Sequence, residues 1–420
     1  AVLHFAFFVI LFESNHYFKE RVFFMPSKTY RLYKPESSGF KLSLLSAGHF
    51  FNDLYASFLP TFIPTLISRL GITMAQAGFF STFLGVIHII FQPVIGYLSD
   101  RSSNPWLIIC GPIITCIGAT MIPLSPTYGF ALFFVGLWGA GSAMFHPQGH
   151  GGVGHVVPKE KLTVSLALFA IAGTAGVTAS PLFAVALVNT VGMKMMPVVA
   201  ILPVLLLGLF TWKTMPSLSH ESGSALAPQK GLISTLKSVF VIIYPIWAIS
   251  SVRDAASQGV RMFFPIKIAA EGADITFVGT VLFLIMLGTT LSMVVIGRIA
   301  DTYGKKKTLA VIMGMSSLCL FAGRAAGGWT AILFFVLGTS AVNATMPITA
   351  AIAQEMVPNS RGMASSIVMG LSWGVGNLLM APFGKIGDLY GINATLFIVA
   401  LLPLLTFPFL LTKPFREAKD

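Results

Sequence analysis

The apolar residues of this chain arrive in runs about twenty long, divided by short stretches of Gly, Pro and charge, and this feature removes most folds from consideration. A helix needs about 20 mostly apolar residues to cross a bilayer. Twelve such runs can be marked, over 42–68, 77–99, 106–126, 128–148, 163–190, 193–212, 238–266, 276–297, 307–323, 329–354, 362–386 and 392–411. Charged residues make up 10% of the chain and hydrophobic ones 55%, with a mean hydropathy of +0.82. Soluble domains are about 25% charged, and disorder requires low hydrophobicity with high net charge, so both are excluded. The expected fold class is an all-α polytopic membrane protein with twelve transmembrane helices.

The run Ala1–Phe12 is too short to span before Glu13, Lys19, Glu20 and Arg21 interrupt it. Met25 is the expected start, and residues 1–24 are set aside as a non-native or upstream extension. The expected division is then a six-helix bundle over 25–212, a polar, Ser-rich cytoplasmic linker over 213–237 and a second bundle over 238–420. The formal net charge of +12 raises the question of a polyanionic partner. Placing both termini and the even loops in the cytoplasm puts eighteen Lys and Arg residues on that side, against Arg69, Lys194, Lys267, Arg324 and Lys385 on the other. That is the positive-inside bias, so the charge orients the chain in a cytoplasmic (inner) membrane, and no nucleic-acid partner is expected. Cys110, Cys116 and Cys319 lie within apolar runs; they form no disulfide framework or zinc pair and read as packing residues.

An internal repeat organises the spans. Gly96-Tyr-Leu-Ser-Asp100-Arg101 recurs 201 residues later as Gly297-Arg-Ile-Ala-Asp301-Thr302, and Asp53 with Asp254, Pro64 with Pro265 and Gly176 with Gly376 keep the same register within one residue. Six spans per unit make both halves enter the membrane in the same direction. The repeats are therefore parallel, related by an axis along the membrane normal.

Ionisable groups at membrane depth are costly, and those that occur are usually functional or paired. Asp53 falls near the middle of the first span, and His49, four residues earlier, shares its helix face. Two roles are open to Asp53: a proton carrier working with His49, or an acceptor of hydrogen bonds that hold helices together. In span 7, Asp254, Gln258 and Arg261 follow the i, i+4, i+7 spacing of one face, with Arg253 at its border. Asp254 can neutralise one guanidinium and leave one over, which favours an anionic or zwitterionic substrate; a structural ion-pair network is the alternative. His88 with Gln92 in span 2, Asn52 beside Asp53, and Asn343 in span 10 are further candidates for substrate contact or for interhelical hydrogen bonds.

His146, His150 and His155 match no short metal-ligand motif, so no metal site and no cofactor are expected. His146-Pro147 is expected to end or kink its helix at the cavity, with His146 contributing to proton transfer or binding. In the repeated loop motif, Gly96 allows close approach of a helix, and Asp100, one turn on, can meet the positive end of a helix in the other half. Asp100 with Arg101, and Gly297, Asp301, Glu355 and Arg361 in the second half, are the expected conformational latch.

These motifs resemble those of the major facilitator superfamily. The Gly96 and Gly297 segments resemble its loop signature, while His49-Phe-Phe-Asn-Asp53, Gln92-Pro-Val-Ile-Gly-Tyr, Pro105-Trp106, Phe145-His-Pro147 and Gln354-Glu-Met-Val-Pro358 resemble the fosmidomycin-resistance-type branch. The resemblance covers about residues 43–405 and implies proton-driven export of small molecules, drugs included, across the cytoplasmic membrane; a metabolite facilitator or symporter is the alternative, and a monomer is expected. Where relatives often carry a carboxylate after His-Pro, this chain has Gln148, which carries no proton.

Other functions fare worse. The His49-x3-Asp53 spacing differs from the His-x4-Asp of membrane acyltransferases, and no nucleophile elbow or P-loop is present. A non-transporting sensor would normally add a soluble domain. Without a nucleotide-binding motif, uphill movement must draw on an ion gradient.

Overall fold

The computed structural model describes residues 37–99, 105–158, 161–215 and 232–412, which are helical almost throughout. The first crossing is a broken helix, α1 (Ser38–Tyr55) followed by α2 (Leu59–Leu70). Pro60 explains the break, because it has no N–H to donate and its ring excludes the carbonyl four residues back. The chain then runs through α3 (Met74–Ser99), α4 (Trp106–Met121) and α5 (Tyr128–Val156). Next comes α6 (Leu162–Thr214), whose 53 residues would reach about 80 Å if straight, far beyond a bilayer of about 40–45 Å. It reverses at Gly192, whose φ of 77° is open to glycine and strained for other residues. Both arms return to α1: Gly176 lies against the Phe50 carbonyl, and Tyr55 donates to the Ala200 carbonyl at 2.6 Å.

The second half comprises α7 (Leu232–Ala270), α8 (Ile275–Tyr303), α9 (Lys305–Ala325), α10 (Gly328–Ala344) and α11 (Met346–Met356). Its eleventh crossing is segmented into α12 (Arg361–Ser365), a π-helical stretch over Ser366–Leu371, α13 (Ser372–Leu378) and α14 (Met380–Tyr390). The last crossing is α15 (Ile392–Leu401), a 3₁₀ turn and α16 (Phe407–Leu410).

Among the described residues, ten helical segments are long and apolar enough to cross a membrane, some of them built from consecutive helices such as α10 and α11. The folded-back α6 counts twice and the α1–α2 pair adds one more, giving twelve crossings in two parallel six-helix repeats. Each of the twelve runs marked in the sequence coincides with one crossing, two of them (106–126 and 392–411) overshooting its end by one or two residues. Two ends differ from expectation. Helix α5 continues eight residues past Gln148, so Pro147 neither ends it nor changes its class. Residues 216–231, most of the expected linker, lie outside the described residues, and so does the extension 1–24.

The halves meet mainly at the end that carries the turns at Gly71, Gly272 and Gly391, here called the far end. There a Cβ on Gly78 would lie 2.2 Å from the Met380 carbonyl oxygen, and one on Gly384 2.1 Å from that of Met74. Thr82 donates to the Asn377 carbonyl at 3.0 Å, and Thr178 and Thr290 meet at 3.1 Å. At the near end, where α1 begins, Val294 and Val295 are exposed and a Cβ on Gly297 would meet nothing within 4 Å. Among the described residues, the bundle is closed at the far end and open toward the near end.

Candidate functional site

Three side chains from two helices converge beneath the break in α1. The His49 Nε2 lies 3.2 Å from Asp53 Oδ2, and the His146 Nε2, from α5, lies 3.2 Å from Asp53 Oδ1. Both imidazoles are oriented by backbone carbonyls, His49 Nδ1 by Phe169 at 2.7 Å and His146 Nδ1 by Ser142 at 2.9 Å. A carbonyl oxygen only accepts, so each Nδ1 carries a hydrogen and each Nε2 is left to face the carboxylate. On a neutral ring that Nε2 is a lone pair, and two acceptors in contact repel. Each of the two contacts therefore needs a shared proton.

This arithmetic defines the site's charge states. With two protons in place the cluster holds two imidazolium groups and one carboxylate, for a net charge of +1. With one proton removed it is neutral, and one histidine faces the carboxylate lone pair to lone pair, which favours its withdrawal. Proton loss is thus linked to separation within α1 or between α1 and α5. Asn52, fully buried, braces the carboxylate: its Nδ2 donates to Asp53 Oδ1 at 3.0 Å, and its Oδ1 accepts from Thr115 at 3.0 Å. Gly173 of α6 makes room, since a Cβ there would stand 2.5 Å from His49 Nε2 and 2.8 Å from Asp53 Oδ2.

Asp53 and His146 line a central cavity of about 580 Å³ between the halves, together with His88, His150, Gln258, Arg261 and Trp373. Its walls are otherwise largely apolar. His88 packs on the Trp373 ring across the cavity at a centroid distance of 4.9 Å. Gln258 donates to Asn377 Oδ1 at 2.6 Å. Arg261 makes no ion pair among the described residues, and its Nε is buried without a hydrogen-bond partner. The π-helical stretch contributes Ser366, Met369 and Gly370 to the wall, in keeping with the concentration of such segments at functional sites.

Several residues singled out as substrate contacts sit elsewhere. Arg253 is 1% exposed and forms a two-pronged pair with Asp254, Nε to Oδ1 at 2.9 Å and an Nη to Oδ2 at 3.0 Å. Thr349 accepts from Arg253 at 2.9 Å, and Ser372 donates to Asp254 at 2.7 Å. This network is closed within the second half, so Arg253 and Asp254 hold α7 to its neighbours and do not line the cavity. Asn343 donates to Ser257 at 2.9 Å and Thr289 at 3.3 Å, joining α7, α8 and α10, again away from the cavity. Asn52 likewise acts through Asp53 and does not line the wall. The side chain of Gln92 lies outside the described residues.

Of the expected near-end latch, Gly297, Asp301 and Glu355 lie among the described residues. Asp100 and Arg101 lie outside the described residues, as do the surroundings of Gly96 and the Arg361 side chain. Gly297 faces open space and Asp301 is exposed with no ion pair among the described residues. Glu355 pairs with Lys305 inside the second half and so joins no two halves. A contact of the kind expected of Gly96 and Asp100 is present at the far end. Gly384 admits the start of α3, and Asp388, four residues on, accepts from the amides of Met74 and Ala75 at 2.7 and 3.0 Å. The same Gly-x-x-x-Asp spacing was present in the sequence, but without the loop signature it went unmarked.

Comparison with known proteins agrees with this architecture. The model of the Major Facilitator Superfamily matches the chain twice, over residues 45–252 and 246–420. The fosmidomycin resistance protein of Escherichia coli (strain K12) is 25% identical over 375 residues, covering 87% of this chain and 90% of that protein. An uncharacterised MFS-type transporter of Bacillus subtilis (strain 168) is 24% identical over 398 residues, covering 90% and 94%. A solved bacterial homologue of the human lysosomal transporter Spinster, in an inward-facing and occupied conformation, superposes with a TM-score of 0.74 at 14% identity, over 90% of this chain and 97% of that one.

Proposed function

Because the chain belongs to the Major Facilitator Superfamily and is a secondary transporter, not an enzyme, we propose that it moves a small anionic molecule across the cytoplasmic membrane by alternating access, coupled to protons at Asp53, His49 and His146. The observation that carries this reading is the cavity shared by Asp53 and His146 of the proton-binding triad and by Arg261, a cation with no direct ion pair among the described residues. A buried unpaired guanidinium is unfavourable by itself and becomes favourable when a carboxylate, phosphate or phosphonate joins it. The domain division at 213–237, an inner-membrane location and a monomeric state belong to the same reading, as do both termini in the cytoplasm, which the positive-inside bias supports. With the near end cytoplasmic, the conformation described is open inward.

Export of a drug-like anion in exchange for protons is the first form of the proposal, supported by the name of the Escherichia coli relative. A second form is favoured by electrostatics. The doubly protonated triad adds a positive charge to a cavity that already holds Arg261, so proton and anion stabilise one another, which is the linkage of a symporter.

Proteoliposomes loaded with a pH-sensitive dye and given small phosphonates and carboxylates decide between them. Proton movement opposite to the anion supports exchange, and movement with it supports symport. Anion flux indifferent to a pH gradient overturns proton coupling in either form.

A further inference from the structure

The geometry of His49, Asp53 and His146 points to a divalent metal site of the zinc class. Short ligand motifs in the sequence do not show it, since His49 and Asp53 come from α1 and His146 from α5, nearly a hundred residues apart. In space, one ligand atom from each of the three lies within 4.8 Å of the others. The two nitrogen-to-oxygen contacts are 3.2 Å each, His49 to Oδ2 and His146 to Oδ1 of the same carboxylate. A tetrahedral zinc ion with bonds of about 2.0–2.1 Å to nitrogen and oxygen has ligand edges of about 3.3–3.4 Å, so the two contacts already match an edge, and the widest ligand separation closes by up to about 1.4 Å, within reach of side-chain rotation, when the ion is gathered.

The surroundings favour the metal-binding form of each ligand. Both Nδ1 atoms are committed to backbone carbonyls, which leaves Nε2 as the lone pair a metal requires. That is the usual outer support of a zinc-bound histidine. Three protein ligands leave a fourth position open, and Asp53 and His146 border the cavity, so water or an anion can fill it and the ion can enter. Charge favours the exchange as well. A divalent ion with one carboxylate carries +1, the same as the triad with two protons. Zinc therefore replaces two protons without changing the field at His88, His150 and Arg261, the other ionisable groups on the cavity wall, and it clamps α1 to α5. A metal in this class would bind in competition with protons and arrest transport in the loaded state.

The test uses the full-length chain in detergent or nanodiscs and does not depend on transport. Zn²⁺ titration by calorimetry at pH 7.5 is expected to show one tight site per chain. The affinity should weaken as pH falls, by up to about tenfold per pH unit for each proton displaced. His146→Gln and His49→Gln should each weaken it at least tenfold, while His155→Gln leaves it unchanged. Co²⁺ as a probe should give the intense visible bands of four-coordinate cobalt, lost in His146→Gln. Thermal melting of each variant separates loss of the site from loss of the fold. Absence of a one-to-one site, or a site kept in folded His49→Gln and His146→Gln, overturns the proposal. If zinc binds as described while transport proves independent of pH, the metal site stands and the proton-coupling reading alone fails.

Discussion

Asp388 caps the helix that begins at Met74, its carboxylate accepting the Met74 amide at 2.7 Å across the boundary between the two halves. Asp388 belongs to α14 and Met74 to α3, so a helix of one half is terminated by a side chain of the other. A carboxylate at a helix N-terminus satisfies orphan amides and meets the positive end of the dipole. Here that favourable contact exists only while the far end is closed.

Replacing Asp388 with Ala should therefore weaken far-end closure by about 1–2 kcal/mol, moving the balance of conformers about five- to thirty-fold. Distance distributions between spin labels across the far end would show a second, longer population. A distribution identical to the parent would contradict the capping role.

Glycines at the same boundary give a stronger version of that experiment. A Cβ at Gly384 or Gly78 would strike backbone, Met74 O at 2.1 Å and Met380 O at 2.2 Å, and backbone cannot turn aside as a flexible side chain can. Gly384→Ala or Gly78→Ala should hold the far end open and sharply reduce turnover, read by the same spin labels and by flux. Gly297→Ala, at the open near end, should leave the present conformation undisturbed and act only when the near end closes.

The two span-7 arginines should separate cleanly. Arg253→Gln leaves the Asp254 carboxylate buried and unpaired, a loss of about 3–5 kcal/mol, seen as reduced thermal stability and expression. Arg261→Gln removes a cation that has no direct ion pair among the described residues, so stability should be unchanged or raised. Its effect falls on the substrate: a charged hydrogen bond of about 1.5–3 kcal/mol corresponds to roughly a ten- to hundredfold rise in KM for an anion. Equal stability losses in both variants would contradict the distinction.

Gly173 and Gly176, three residues apart on α6, are expected to fail differently. At Gly176 a Cβ would meet the Phe50 carbonyl oxygen at 2.2 Å, forcing α6 from α1, and Gly176→Ala should destabilise the fold by about 1–3 kcal/mol. At Gly173 the obstructing atoms are the tips of His49 and Asp53. Gly173→Ala should spare the fold and disturb the triad, seen as lost pH dependence of transport with little change in melting temperature.

The twelve crossings were legible because a bilayer demands about twenty apolar residues per span, and that demand is local in sequence. The break before Pro60 and the reversal at Gly192 follow from single residues once a span is known to be too long or too polar to be straight. The π-helical wall over Ser366–Leu371 carries no such mark. At the site, the i, i+4 spacing puts His49 and Asp53 on one face, and that much is a property of one helix. Their meeting with His146 depends on how α1 packs against α5, which one helix's pattern does not encode. For the same reason the span-7 face did not reveal which arginine is paired. Arg253 and Arg261 are alike in sequence, and only the positions of Thr349 and Ser372, about a hundred residues away, make one structural and leave the other facing the cavity.

The central claim is that protons are carried by the triad in which the Asp53 carboxylate is held between His49 and His146. Asp53→Asn keeps the shape and the hydrogen-bonding reach of the side chain and removes the charge that holds protons on the two imidazoles. The decisive measurement is substrate-linked proton flux, followed with a trapped pH dye in proteoliposomes containing either the parent or Asp53→Asn at equal protein content. The account predicts that the variant still binds the anion but carries no substrate-linked proton flux, whereas proton flux equal to that of the parent would contradict it.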